Sequence, residues 1–182
     1  DLHLRLQAVA GGQGRRLLLL PATRVLAPAG MDASTFEQPL PATFALRAAA
    51  VEKCITPKTK VIMLNFPTNP TGAVMDPVEL QGIADLAIKH DLIVITDEIY
   101  SELLYDERDH PSIAALPGMK ERTILMHGFS KAFAMTGFRL GYACAPSELT
   151  EAMMKIHQYS ILCASVMAQD AAIEALEHGA KH

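Results

Sequence analysis

Apolar and polar positions fall into a readable order from Phe44 onward. Three short apolar runs, Lys60-Val-Ile-Met-Leu-Asn65, Leu92-Ile-Val-Ile-Thr96 and Thr123-Ile-Leu-Met126, are each bounded by polar residues and predict buried strands. Between the first two, Asp76-Pro77 offers a helix N-cap and a proline at the first helical position. Leu80, Ile83, Ala84, Leu86, Ala87 and Ile88 then supply an apolar face. Strand, helix and strand with short links form a βαβ unit, which implies a parallel sheet and a right-handed crossover. Ahead of it, Leu46, Ala49, Ala50 and Val51–Ile55 predict a short helix closed by Thr56-Pro57. Residues 106–122 are polar and rich in proline and glycine, and predict a surface connection. Leu140-Gly-Tyr-Ala-Cys-Ala145 predicts a fourth strand that runs away from the third, in the antiparallel sense. After Pro146-Ser147, one long helical stretch is expected to about Glu177, with Met153, Ile156, Ile161, Met167, Ala171, Ile173 and Leu176 as core positions. Its middle, Tyr159 to Met167, is apolar enough to be buried in an interface.

Residues 1–42 show no clear period. Gly11-Gly-Gln-Gly14 has no preceding strand and reads as a flexible turn rather than a phosphate cradle. Arg15-Arg-Leu-Leu-Leu-Leu-Pro21 is too short in its apolar part for a signal peptide, and reads as a strand or helix fragment. The chain therefore divides into a poorly patterned segment, 1–42, and an α/β unit, 43–182, without repeats or linkers.

Composition narrows the function classes. The 182 residues suffice for one domain with a sizeable core, and 50% of them are apolar. A net charge of −4 with dispersed Lys and Arg gives no footprint for nucleic acid or an anionic membrane. No run approaches the about 18 apolar residues of a membrane helix. Three cysteines without close pairing argue against a disulfide framework or zinc site and suit a reducing, cytoplasmic compartment. The seven histidines form no ligand pattern, so no metal is expected.

Ligands of open α/β sheets bind beyond the carboxyl ends of the strands, which is where Asn69 and Asp97 fall. Asp97 follows four apolar residues, where a carboxylate needs a partner; the bland alternative is a helix N-cap in Asp-Glu-Ile-Tyr. Glu98 reads as structural. Two prolines and a glycine stiffen the loop from Phe66 to Gly72, and a cis Asn-Pro bond there would aim Asn69 in a fixed direction; the alternative is a plain proline turn. Lys131 lies among Phe129, Phe133, Met135 and Phe138. Burial among them would lower its pKa and make it a Schiff-base former. Ser130 and Arg139 add a hydroxyl and a planar fork of N–H groups suited to a phosphate. The alternative is a surface lysine, an arginine capping a helix end and ordinary core aromatics.

Three motifs carry a family resemblance. Ser130-Lys-Ala-Phe-Ala-Met-Thr-Gly-Phe-Arg-Leu-Gly-Tyr142 resembles the cofactor-lysine segment of class I/II aminotransferases, enzymes of fold type I that use pyridoxal 5'-phosphate (PLP). Asn65-Phe-Pro-Thr-Asn-Pro-Thr-Gly72 resembles the family's Asn-Pro-Thr-Gly loop, and Thr96-Asp-Glu-Ile-Tyr100 its Asp-Glu-Xaa-Tyr segment, in the family's order. The resemblance covers residues 43–178 and implies an incomplete large domain: three αβα layers around a mostly parallel sheet. It implies that Lys131 holds PLP as a Schiff base and serves as the general acid/base. Asp97 would keep the pyridine nitrogen protonated, Asn69 and Tyr100 would hydrogen-bond the ring oxygen, and Ser130 and Arg139 would anchor the phosphate. The implied reaction moves an amino group between an amino acid and a 2-oxo acid, with an aromatic or aspartate-type donor, in a homodimer. Family elements that lie upstream and downstream, including the arginine for the substrate carboxylate, fall outside the resemblance. Two alternatives remain open: another PLP enzyme on the same scaffold, such as a carbon–sulfur lyase, and an inactive fragment or non-catalytic aminotransferase-like domain.

Overall fold

The computed structural model describes residues 44–105 and 107–179, together with the backbone of a strand at 16–19. The Gly11–Gly14 cluster and the Pro/Ala-rich stretch from Pro21 to Pro41 lie outside the described residues. Strand β1 (Arg16–Leu19), taken from the leucine run, pairs with β2 (Thr59–Asn65). Helix α1 (Ala48–Cys54) precedes β2, and helix α2 (Pro77–Lys89) links it to β3 (Ile93–Asp97). Strand β4 (Thr123–Gly128) leads directly into the four-residue helix α3 (Phe129–Ala132), and β5 (Gly141–Cys144) follows. Helices α4 (Ser147–Ser160) and α5 (Val166–His178) end the described part.

The five strands lie side by side in chain order. The first four are parallel and β5 runs antiparallel to β4. Side chains alternate across the sheet with the period of two that a strand imposes. Ile62, Leu64 and Val94 face one way, into the larger core, with Val51 of α1 and Leu80, Ile83, Ala84 and Ala87 of α2. Val61, Ile93 and Ile124 face the other way, against Leu149 of α4. The sheet is thus covered on both sides, which gives the three αβα layers expected.

Helix α2 starts where the sequence marks it. The Asp76 carboxylate accepts from the N–H groups of Val78 and Glu79 at 2.8 and 3.3 Å, satisfying two orphan donors of the first turn. Helices α1 and α2 cross closely, because a Cβ on Gly82 would meet Ala48 Cβ at 2.6 Å. Glu52 and Lys89 join the pair at 2.9 Å on the surface.

Three expectations need correction. Residues 106–122 are more than a surface connection: Ile113 and Met119 are fully buried, brought down by a 3₁₀ turn at Ile113–Ala115. The long C-terminal helix is two helices, separated where Leu162 takes a left-handed φ of 75° after the Ile161 and Leu162 N–H groups both close on the His157 carbonyl. The buried positions there are the small ones, Ala152, Ala168 and Ala172, with Leu149. Ile156, Ile161, Met167, Ile173 and Leu176 are exposed, and only Met153 and Ala171 pack against a core.

Candidate active site

β2 and β3 finish in step, with Asn65 opposite Asp97, and β4 runs two residues further, with Met126 opposite Asp97 and Gly128 at its end. Three segments leave this rim: the loop 66–72 after β2, a turn over 98–103 after β3, and helix α3 after β4.

The first loop is fixed by its own bonds. Phe66-Pro67 and Asn69-Pro70 are both cis. The Thr68 hydroxyl bonds that of Thr71 and accepts from Ala73 N–H, and the Thr68 carbonyl accepts from Gly72 N–H at 2.9 Å. Gly72 sits at φ 69°, where a side chain would be strained. The outcome is a direction for Asn69, whose amide donates to the Tyr100 hydroxyl at 3.0 Å. The phenol thereby accepts and keeps its own proton to give. Lys131 Nζ stands 5.6 Å from the centre of the same Tyr100 ring. An open cavity of about 310 Å³ adjoins the Asn69–Tyr100 pair, walled by Pro67, Pro70, Leu103, Leu104 and Tyr105, with Arg108 as its cation.

Adjacent carboxylates separate across the sheet. Asp97 follows Ile93 and Ile95 onto the α4 face and is half-buried. It accepts from Ile99 N–H at 3.2 Å, so it caps a turn rather than a helix. Glu98 continues the face of Val94 and Thr96 and is only 4% exposed. Its Oε1 accepts from the hydroxyls of Thr96 and Ser112, both at 3.0 Å. His110 Nε2 lies 3.0 Å from its other oxygen, a charge contact that is off-line for a hydrogen bond. Glu98 is a structural carboxylate, as its sequence context suggests.

Lys131 does not sit in the apolar nest expected of it. It is exposed, while Phe129 and Met135 are buried and Phe133 packs with them against Ala171, Ala172 and Ala175 of α5. Helical geometry explains the difference, since residues two apart point to opposite sides of a helix. Phe129 and Phe133 flank Lys131 at that spacing and turn their rings away from the amine. Phe138 is 48% exposed. Within this chain, burial does not desolvate the lysine.

Ser130 is half-buried beside Lys131. The backbone next to Arg139 is tied to the start of the same segment, where Phe129 N–H closes on the Leu140 carbonyl. Arg139 adopts φ 54°, and its Nη1 donates to the Thr136 carbonyl at 2.9 Å, closing the 3₁₀ turn Thr136–Phe138. That bond is the capping role foreseen as the plainer alternative. The rest of the guanidinium fork has no partner among the described residues.

Two contacts at the rim escape sequence reasoning. Ser101 Oγ lies 2.8 Å from His127 Nε2, and His127 stacks on Tyr142 with centroids 5.5 Å apart. No spacing links residues 101 and 127; only the parallel pairing of β3 and β4 brings them together.

An amide–phenol pair and an amine thus meet beyond the carboxyl ends of parallel strands, the rim where open α/β sheets bind ligands, with Asp97 on the adjoining strand end. Comparison with known proteins makes the class specific. A family model described as aminotransferase class I and II matches residues 22–182. The putative aminotransferase YugH of Bacillus subtilis is 60% identical over 136 residues, 75% of this chain and 35% of that protein. An aspartate aminotransferase of Pyrococcus abyssi is 50% identical over 133 residues, 73% of this chain and 34% of that protein. Among solved structures, a double mutant of Thermus thermophilus aspartate aminotransferase superposes with a TM-score of 0.86 at 37% identity, covering 98% of this chain and 47% of that one. The aromatic aminotransferase of Pyrococcus horikoshii gives 0.83 at 38%, covering 96% and 48%. The chain belongs to the class I and II aminotransferase family. It spans about a third of the length of the curated relatives it matches.

Proposed function

We propose that this chain is the central part of the large domain of a PLP-dependent aminotransferase, with residues 43–182 as its cofactor-binding portion. The observation that carries the reading is the grouping of Asn69, Tyr100 and Lys131 at one rim, beside Asp97. The donor set fits the cofactor. A half-buried carboxylate suits a protonated ring nitrogen, an amide–phenol pair suits the ring hydroxyl oxygen, an exposed amine suits an aldehyde, and Ser130 with the open side of Arg139 suits a phosphate. Bound PLP supplies an electron sink for bond cleavage at an amino acid's alpha carbon.

The residues divide the remaining work. Asp97 would face the ring nitrogen and favour its protonated form. Asn69 and Tyr100 would orient the ring, with Asn69 donating and the phenol proton left to give. Lys131 would hold the cofactor at its aldehyde end, and its amine is the group placed to move a proton at the substrate's alpha carbon. Ser130 and Arg139 fix the far end of the ligand against the lysine. The substrates are an amino acid and a 2-oxo acid. Relatives named as aspartate and aromatic-amino-acid aminotransferases favour donors of those two types. Cysteines that form no disulfide among the described residues suit a reducing cytoplasm. The exposed apolar residues from Tyr159 to Met167 suit burial in a homodimer.

Absorption spectroscopy of the purified chain with added PLP tests the reading. A visible band that is reduced by borohydride, maps to Lys131 and is lost in Lys131→Ala is the expected result. No band, or one that survives Lys131→Ala, would return the chain to the class of non-catalytic fragments, a reading that the solvent exposure of Lys131 keeps in view.

A further inference from the structure

The turn that presents Tyr100 and the strand that presents Lys131 belong to different βα units, yet they meet at two adjacent contacts. One is steric: a Cβ on Gly128 would lie 3.1 Å from Ile99 Cδ1 and 3.2 Å from the Leu140 carbonyl oxygen, tighter than ordinary contact, so the turn packs closely on the end of β4. The other is polar, the 2.8 Å contact between Ser101 Oγ and His127 Nε2. His127 is held on its remaining sides as well. Its ring stacks on Tyr142 at an interplanar angle of 23°, and its Nδ1 lies 2.8 Å from the Gly128 nitrogen. A backbone N–H can only donate, so that contact makes Nδ1 an acceptor and leaves Nε2 to carry the proton toward Ser101. The contact of Nδ1 with the Gly128 carbonyl, at 3.1 Å, is the longer of the two. This tautomer is assigned from the bonding network.

We propose that His127 is a positioning residue, which through Ser101 fixes the turn carrying Tyr100 against the segment carrying Lys131. The chain between these points is short. Ser101 follows Tyr100 directly and is itself pinned by its N–H to the Glu98 carbonyl at 2.9 Å, while Lys131 follows His127 by four residues across the junction of β4 and α3. A displacement of Ser101 therefore carries Tyr100 with it, and the Asn69 amide bonded to Tyr100 follows. The role rests on the proposed function, in which Tyr100 and Lys131 hold one ligand between them.

Hydrogen exchange and PLP affinity, measured on Ser101→Ala, His127→Phe and the double variant, test the inference. Phenylalanine keeps the stack on Tyr142 and removes both nitrogens, and Ser101→Thr, which keeps the hydroxyl, serves as rescue. Without cofactor, each single variant is expected to speed amide exchange about 10-fold in both segments, 98–104 and 127–132, the double variant no further, and Ser101→Thr not at all. Acceleration confined to the mutated segment, or multiplied in the double variant, would overturn the tie. With PLP, the dissociation constant is expected to rise about 10-fold in both single variants and to recover in Ser101→Thr. Unchanged affinity alongside faster exchange would sink the positioning role. If the unmodified chain gives no visible band, the proposed function fails, and the exchange data still decide whether the tie exists. Should His127→Phe not fold, Ser101→Ala and its rescue decide both points.

Discussion

Asp97 and Glu98 are neighbours in the chain and opposites in environment, and the difference sets what each tolerates. Glu98 is buried with two hydroxyl donors and His110 around it, so removing the carboxylate strands three polar groups in the interior. Glu98→Ala is expected to lower stability by about 3 kcal/mol in urea unfolding, and Glu98→Gln by less, since the amide oxygen can still accept. Tyr142 gives a second test. Its phenol is held above the usual 10.0, chiefly by partial desolvation of an otherwise exposed side chain, with smaller contributions from Cys144, Glu102 and Glu98. A pKa raised on folding favours the folded state fully below the unfolded value, and that advantage is lost as pH rises through the folded one. Stability should therefore fall above about pH 10, and the phenolate absorbance titration should show a late step that Tyr142→Phe removes. At this scale the motif order marks Asn69, Asp97, Tyr100, Ser130, Lys131 and Arg139 as candidates, and the structure brings Asn69, Tyr100 and Lys131 into one group. The exposure of Lys131 was not legible from a list of aromatic neighbours, because only the helical turn decides which way they point. The Ser101–His127 contact was not legible because it depends on the alignment of two strands.

Elements were read best where one local signal dominated. Asp76-Pro77 set the start of α2, and the apolar runs set β2, β3 and β4 to within two residues at each end. The antiparallel turn of β5 was also anticipated, although all four of its residues are exposed. Errors came where tertiary packing overrode periodicity. Ile88 extends the apolar pattern of α2 but is 42% exposed, although Leu86 and Ala87 just before it are buried in the core. In α5 the larger apolar residues face outward and alanines face in, and in α4 Met154 and Ile156 face outward while Leu149 and Ala152 face in, so hydrophobicity alone was a poor guide to the buried side. The contact between α1 and α2 yields a prediction with competing signs. Gly82→Ala gains about 1 kcal/mol of helix propensity, but its Cβ overlaps that of Ala48, and overpacking of this kind costs about 1–3 kcal/mol. A net loss of about 1 kcal/mol is expected in urea unfolding, reversed when Ala48→Gly is added.

On the scale of the molecule, the described residues cover the two faces of the sheet unequally. Among them, the core on the α2 face holds sixteen buried residues and that on the α4 face four. Beyond the thinner side, Tyr159, Ile161, Leu162, Val166 and Met167 are each at least two-thirds exposed, an apolar surface of the kind that draws association. Replacing Ile161 and Met167 together with lysine is expected to reduce concentration-dependent light scattering and binding of an apolar dye, with little change in the unfolding midpoint, since neither side chain is packed. The register of the strands at the rim has a different consequence. Asn65, Asp97 and Met126 form one row across β2, β3 and β4. A slip of one residue along any of these strands would move its side chain in that row by about 3.3 Å and send it to the opposite face. The rim therefore acts as a vernier for the sheet: a ligand that must touch loops from all three strands binds only the correctly aligned chain, and each binding event certifies the register behind it.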